Sequence, residues 1–248
     1  MFILLLISSL IVGISLGLLG AGGSILTVPT LMLLLGMSEK SAIASSLIIV
    51  SLIAITGTLA ALRQKTLQLK IVLGFALSSL PAAAMGAYLG TLASEGMQTI
   101  LLIIIMLLAA AKMSLSSPVS QPHSVHPAKL LVAGASTGLI TGLVGVGGGF
   151  LIVPALVIYA GLTMQQAVAN SLLLIALNAA TAFATLVLSP QMPEIEWTII
   201  GVMAGVGSIA VVAGQQVANK LNQGLLKRIF GIFLVLVALV LLVKLFWS

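Results

Sequence analysis

The sequence predicts an all-α, polytopic membrane protein of two inverted-topology repeats, each with about four long spans plus one short broken or half-length helix. Three observations predict it. The chain is 60% hydrophobic and 6% charged, too little polar surface to cover a water-soluble domain of 248 residues. A glycine-rich string, Gly17-Leu18-Leu19-Gly20-Ala21-Gly22-Gly23-Ser24 running on to Pro29, returns about 125 residues later as Gly142-Leu143-Val144-Gly145-Val146-Gly147-Gly148-Gly149 running on to Pro154. Loops that correspond between the two copies carry opposite charge.

The elements follow in order. Residues 2–20 form the first span; Met1-Phe2-Ile3-Leu4 carries no basic segment and no small-residue cleavage site, so it reads as a retained span rather than a signal peptide. Residues 24–36 are apolar but too short to cross comfortably. Ser38 is an N-cap for the span 40–62, and 71–93 and 97–113 complete the first half. The second half repeats the pattern with 129–146, a short piece at 149–161, then 163–188, 197–219 and 225–247. Thr163-Met164-Gln165-Gln166 is a capping box. Pro29 and Pro154 sit inside the short pieces, which predicts non-helical backbone over 20–28 and 145–153 followed by half-length helices. Irregular backbone at that depth needs protein or a wet cavity to satisfy it.

The domain organisation is a first transmembrane repeat over 1–113, a proline-containing linker over 114–127, and a second repeat over 128–248. Arg63, Lys65 and Lys70 lie in one loop, whereas Glu194 and Glu196 lie in its counterpart. Glu95 stands alone in another, whose counterpart carries Lys220, Lys227 and Arg228. The positive-inside rule then places corresponding loops on opposite sides of a cell's inner membrane. The linker is cytoplasmic, flanked by Lys112 and Lys129, and both termini are outside; Lys244 alone runs against this scheme. A short helix must then contribute a pass in each half.

Composition also excludes chemistry. There is no cysteine, hence no disulfide and no thiol catalysis. The net charge of +6 speaks to topology, and no aromatic-basic patch suggests nucleic acid. No ionisable side chain falls mid-span to relay protons, activate a serine or ligate a metal, so the chain reads as neither enzyme nor cofactor protein. His123 and His126, three apart in the linker, are too few ligands for a metal.

What remains at depth is backbone and neutral polar side chains. Gly20, Gly22, Gly23 and Ser24 in one copy, and Gly145, Gly147, Gly148 and Gly149 in the other, expose N–H groups that can form an anion nest. A following half-helix adds its positive dipole end. Glycines also permit close helix packing, and that alternative stays open. Ser45 and Ser46 correspond to Asn170 and Ser171; Asn178 lies two turns from Ser171 on the same face. These side chains could donate to a substrate, or serve helix–helix hydrogen bonding, as Thr56, Thr181 and Gln215 could.

The two glycine strings with their prolines, the small polar pairs that follow, and the length resemble the TauE/SafE family of membrane permeases over nearly the whole chain. That resemblance implies a small sulfur-containing anion as partner, sulfite or an organosulfonate such as sulfoacetate. The repeat architecture makes alternating access across the lipid bilayer the expected mechanism, and the lack of a mid-span carboxylate or histidine favours movement outward or down the gradient over proton-driven uptake. Ser24, where the second copy has Gly149, departs from the doubled pattern. Two rival readings are a passive anion channel and a non-transporting membrane scaffold. A homodimer is left open.

Overall fold

Inside a bilayer no water is available for unpaired backbone groups, so a chain this apolar must close its hydrogen bonds within helices. The computed structural model describes residues 2–93, 96–115, 127–144, 149–188 and 193–247, and among these it contains ten helices and no strand. They are α1 (Phe2–Leu19), α2 (Gly22–Leu34), α3 (Glu39–Arg63), α4 (Leu69–Leu92) and α5 (Met97–Leu115), then α6 (Pro127–Val144), α7 (Gly149–Tyr159), α8 (Met164–Val187), α9 (Trp197–Lys220) and α10 (Gln223–Trp247). Five of them, α3, α4, α8, α9 and α10, are long and apolar enough to cross a membrane. Two predicted caps are in place. Ser38 accepts from Ser41 N, and Thr163 and Gln166 form the reciprocal capping box. Most of the 114–127 linker, with both histidines, lies outside the described residues.

The prolines corrected one expectation. Backbone over 20–28 is not irregular: the break is confined to Gly20 and Ala21, and α2 runs from Gly22 straight through Pro29. Likewise α7 begins at Gly149 and contains Pro154, so 149–153 is helical, while 145–148 lies outside the described residues. In apolar surroundings each extra non-helical residue exposes an unpaired amide. Continuing the helix and losing one bond at proline is the cheaper arrangement. The lengths agree with half-length elements, 13 residues in α2 and 11 in α7.

The halves are interlocked rather than side by side. The first helix of each half packs on the fourth helix of the other: α1 on α9, and α6 on α4. Glycine makes both contacts possible. A carbon added at Gly13 would lie 2.5 Å from Gly207 O, and Gly17 faces the Val211 carbonyl and Gln215 N. In the other half Gly138 faces the Ser79 backbone, and Gly142 the Ala83 carbonyl and Ala87 N. Helices in lipid gain little from hydrophobic burial against one another, so this close backbone approach supplies the dispersion contact that holds them.

The repeats are inverted. Equivalent helices α3 and α8 pack together at the centre, the two most enclosed of the candidate spans. Ser51 donates to Ala176 O at 3.2 Å, Gly57 lies against Leu172, and Gln68 N reaches Asn170. Advancing along α3 therefore means retreating along α8. Ser51 and Ala176 are themselves repeat equivalents, so the pseudo-two-fold axis passes between them, across the helix direction. The register shifts on the way. It is about 125 through α3 and α8, but Ala83 and Ala87 of α4 match Val211 and Gln215 of α9, about three residues more. The α8–α9 connection absorbs the difference.

Two glycines of the chain separate packing from propensity. Gly17→Ala drives a methyl into the Val211 carbonyl, whereas Gly201→Ala, on the partner helix α9, meets open space. Gly17→Ala should lower stability by about 1–3 kcal/mol through overpacking, and Gly201→Ala should leave it unchanged or raise it. Thermal unfolding of the purified variants in detergent checks this; equal melting temperatures would deny that the α1–α9 contact holds the halves together.

Candidate functional site

The break between α1 and α2 meets the start of α7 at the centre of the molecule. Gly20 turns the chain with φ of 67°, a left-handed conformation suited to glycine, so that only two residues separate α1 from α2. Its neighbours come from the other half: a carbon added there would lie 2.5 Å from Ser171 Oγ and 3.0 Å from Val153 Cγ2. Gly149, the first residue of α7, abuts the same turn; an added carbon would lie 2.8 Å from both Ala21 Cα and Gly20 O. The N-terminus of one half-length helix thus stands against the turn that opens the other. Each helix N-terminus carries roughly +0.5 of an elementary charge, and no charged side chain falls in this part of the sequence to offset them.

The polar side chains divide into several groups. Ser171 donates to Gly20 O at 3.1 Å and to Val168 O at 2.8 Å, tying α8 to the glycine turn. Ser46, its repeat equivalent, is buried and donates to Ile43 O at 2.8 Å. Gly23 serves packing, since an added carbon would lie 2.6 Å from Val12 O and from Leu16 Cβ on α1. Gly22 and Ser24 fall in the first turn of α2. Gly145, Gly147 and Gly148 lie outside the described residues.

Asn170 is committed to a loop. Its Oδ1 accepts from Gln68 N at 2.6 Å, and its Nδ2 donates to Thr66 O at 3.4 Å and Gln166 O at 2.7 Å. This fastens the α3–α4 connection to α8. Ser45, the equivalent residue, is too short for the same reach, and its buried Oγ has no partner. Asn170 therefore latches one end of the central pair, and among the described residues Ser45 makes no such latch at the other. Asn178 accepts from Ser79 Oγ at 3.0 Å, while its buried Nδ2 also has no partner. Ser79, on α4, went unremarked in the sequence because it sits in a plain apolar span beside Ser78 and Pro81. Gln215 behaves as helix glue, donating to Gly57 O at 3.0 Å across α9 and α3, with its Oε1 unpartnered. Thr56 pairs with Ser208 on α9 at 3.1 Å, and Thr181 bonds only its own helix.

A small pocket opens toward each end of the α3–α8 pair. One, of about 30 Å³, is lined by Lys40, Ile43, Ala87, Gly90, Thr91 and Leu186, among others. The second, of about 10 Å³, is lined at the repeat-equivalent positions by Gln165, Val168, Gln215, Ala218, Asn219 and Ala61. Neither pocket is lined by Gly20 or Gly149, whose surroundings leave no room for a single added carbon. The conformation is closed at its centre, with matched recesses on both sides.

Two inverted, interlocked repeats whose half-length helices begin at a shared central turn define a multi-pass membrane transporter. The chain matches the sulfite exporter TauE/SafE family over residues 5–241 and belongs to it. A probable membrane transporter protein of Xylella fastidiosa strain Temecula1 is 29% identical over 242 residues, 92% of this chain and 90% of the relative. Probable membrane transporter protein YunE of Bacillus subtilis is 29% identical over 207 residues, 73% and 76% of the two chains. A probable membrane transporter protein of Haemophilus influenzae is 29% identical over 263 residues, 98% and 99%. No solved structure matches the chain.

The single latch has a measurable consequence. Asn170→Ala leaves the Gln68 amide and the Thr66 carbonyl without their side-chain partner, at a cost of about 1–3 kcal/mol. Hydrogen exchange should then accelerate over 64–68 and stay unchanged over 193–196, while Ser45→Ala alters neither. Similar effects from the two substitutions would contradict a one-sided latch.

Proposed function

We propose that this transporter carries a small sulfur-containing oxyanion, such as sulfite or sulfoacetate, by exposing the central glycine turn alternately to the two pockets. The observation that carries the reading is the convergence of the α7 N-terminus on the turn that opens α2, in a region without a counter-charge. Aligned amides and helix N-termini bind anions without any cationic side chain. Once rocking opens the closed centre, a site built of glycine backbone suits a compact anion, and Asn178 Nδ2 is an unpartnered buried donor on the same helix as Ser171. Ser171 positions the turn at Gly20, with Gly22, Gly23 and Ser24 following it in α2 and Gly149 against it at the start of α7. Asn170 and Ser45 regulate which end opens.

Matched pockets on both sides of a closed centre support rocking of one repeat against the other rather than an open pore. Asn219 donates to Gln64 and Gln165 to Leu221 O, so the 64–68 and 221–222 connections share one end of the molecule. Arg63, Lys65, Lys70, Lys112, Lys129, Lys220, Lys227 and Arg228 cluster there, eight of the ten basic residues. That end is then cytoplasmic, and residues 2 and 247 lie outside.

An interior-negative potential pushes an anion outward by roughly 2.3 kcal/mol per charge per 100 mV, and the sequence places no carboxylate or histidine mid-span to couple protons against it. Uncoupled export follows. In proteoliposomes an imposed potential alone should drive saturable sulfite flux toward the positive side. Flux that ignores voltage and requires a pH or Na⁺ gradient would refute uncoupled export, and flux that never saturates would refute alternating access.

A further inference from the structure

Away from the central turn, a groove opens between α5, α6 and α7. It consists of two adjoining recesses. One, of about 340 Å³, is lined by Ile105, Leu108, Lys112, Ile140 and Leu151, among others. The second, of about 280 Å³, is lined by Ala128, Lys129 and Val132, and the two share Ser136 and Tyr159. We propose that this groove binds one anionic phospholipid, its phosphodiester held by Lys112 and Lys129 and an acyl chain laid along the apolar floor.

The groove is graded in polarity along the bilayer normal. Both lysines sit at its outer end and are exposed, and the Lys112 ammonium lies 5.9 Å from the centroid of the Tyr159 ring. That contact fixes the charge over the groove mouth without neutralising it. The described carboxylates, Glu39, Glu194 and Glu196, belong to the opposite end: Glu39 bonds Gly96 N and Thr99 at the start of α5, and the two others follow Pro193, which lines a pocket with Lys40. Neither lysine therefore has a described acidic partner. Inward lie Ser136 and Thr137, the latter's hydroxyl donating to Ala133 O and Gly134 O of its own helix, and then only apolar side chains. From Lys129 to Ile140 is about eleven helical residues, or ~16 Å, which is about half the ~30 Å hydrocarbon core. The groove crosses one leaflet and stops.

The inverted repeat provides an internal comparison. The positions equivalent to Lys129, Ser136 and Tyr159 are Leu4, Ile11 and Leu34, and Lys112 corresponds to the Val237–Ala238 stretch. The equivalent positions thus carry apolar side chains where the groove has its lysines; Lys244 of α10, two turns beyond Val237, is not at an equivalent position, and its side chain lies outside the described residues. A feature that merely packed helices would appear in both copies. A pair of lysines on one copy only suits a headgroup of one leaflet, and basic recesses between spans on the cytoplasmic side bind anionic headgroups. Only the choice of leaflet rests on the orientation proposed above; the chemistry of the groove does not.

The test uses the full chain, delipidated in a neutral detergent, with phosphatidylglycerol and phosphatidylcholine of identical acyl chains. Phosphatidylglycerol should raise the melting temperature by about 2–4 °C and remain bound in native mass spectra, and phosphatidylcholine should do neither. The double substitution Lys112→Gln and Lys129→Gln, at exposed positions, should keep the lipid-free melting temperature and lose the difference between lipids. Equal shifts from the two lipids, a shift from inorganic phosphate alone, or retention of the preference by the double variant overturns the proposal. So does disulfide capture of Val132→Cys between two copies, which would assign the groove to a second chain. Stabilisation by sulfite, measured on the same double variant, should be unchanged, so failure of the lipid site and failure of the anion site are read separately.

Discussion

The structure depends on backbone-to-backbone contact between helices exchanged across the repeats. α1 and α6 each leave their own half and settle on α9 and α4, and they do so at Gly13, Gly17, Gly138 and Gly142, where side chains are absent. Burial against lipid offers little preference between one helix neighbour and another, so close approach decides the arrangement. The exchange delivers the end of α1 to the middle of the protein. Gly20 then turns the chain against α8, and α7 starts against that turn. Moving α1 away from α9 would unmake the centre as well as the interface.

Function follows from how unevenly the symmetry is kept. The half-length helices and end pockets obey the two-fold relation. The hydrogen bonds that close the ends do not. Asn170 holds the 64–68 connection with both atoms of its amide, whereas Ser45 offers a hydroxyl that reaches nothing. A transporter of two identical halves would have degenerate inward- and outward-open states. One residue difference at equivalent positions biases that equilibrium, because Asn170 holds one end by a pair of hydrogen bonds that must be broken to open it, whereas Ser45 makes none at the other among the described residues. The lysine pair beside α5 and α6 is a second such departure, directed at the membrane instead of the path.

Much of this was legible in the sequence. The duplicated glycine string, the Ser38 and Thr163 caps and the opposed loop charges predict the helices and their inverted relation, because each rests on local chemistry or on membrane asymmetry. Pro29 and Pro154 misled: local proline rules predict a long irregular stretch, but the cost of unpaired amides in an apolar interior outweighs the loss of one helical bond. The three-residue slip of α9 relative to α4 is invisible until backbone contacts align Gly86 with Gly214. Asn170 reads as one polar residue among several, since its partners lie about a hundred residues away in the chain. Gly17 and Gly142 belong to the repeated strings yet serve packing, a division of labour that spacing alone does not reveal.

The central claim is that the two end pockets are alternative openings onto one central site. The chain lacks cysteine, so single cysteines at Lys40 and Gln165, equivalent positions lining the two pockets, can be labelled without background. Labelling rates with a membrane-impermeant thiol reagent, in inside-out and right-side-out vesicles with and without sulfite, test the claim directly. The account predicts reciprocal behaviour: whatever makes position 165 more reactive makes position 40 less so, and Asn170→Ala shifts the balance toward 165. Rates that rise together at both positions would describe a pore and contradict the account.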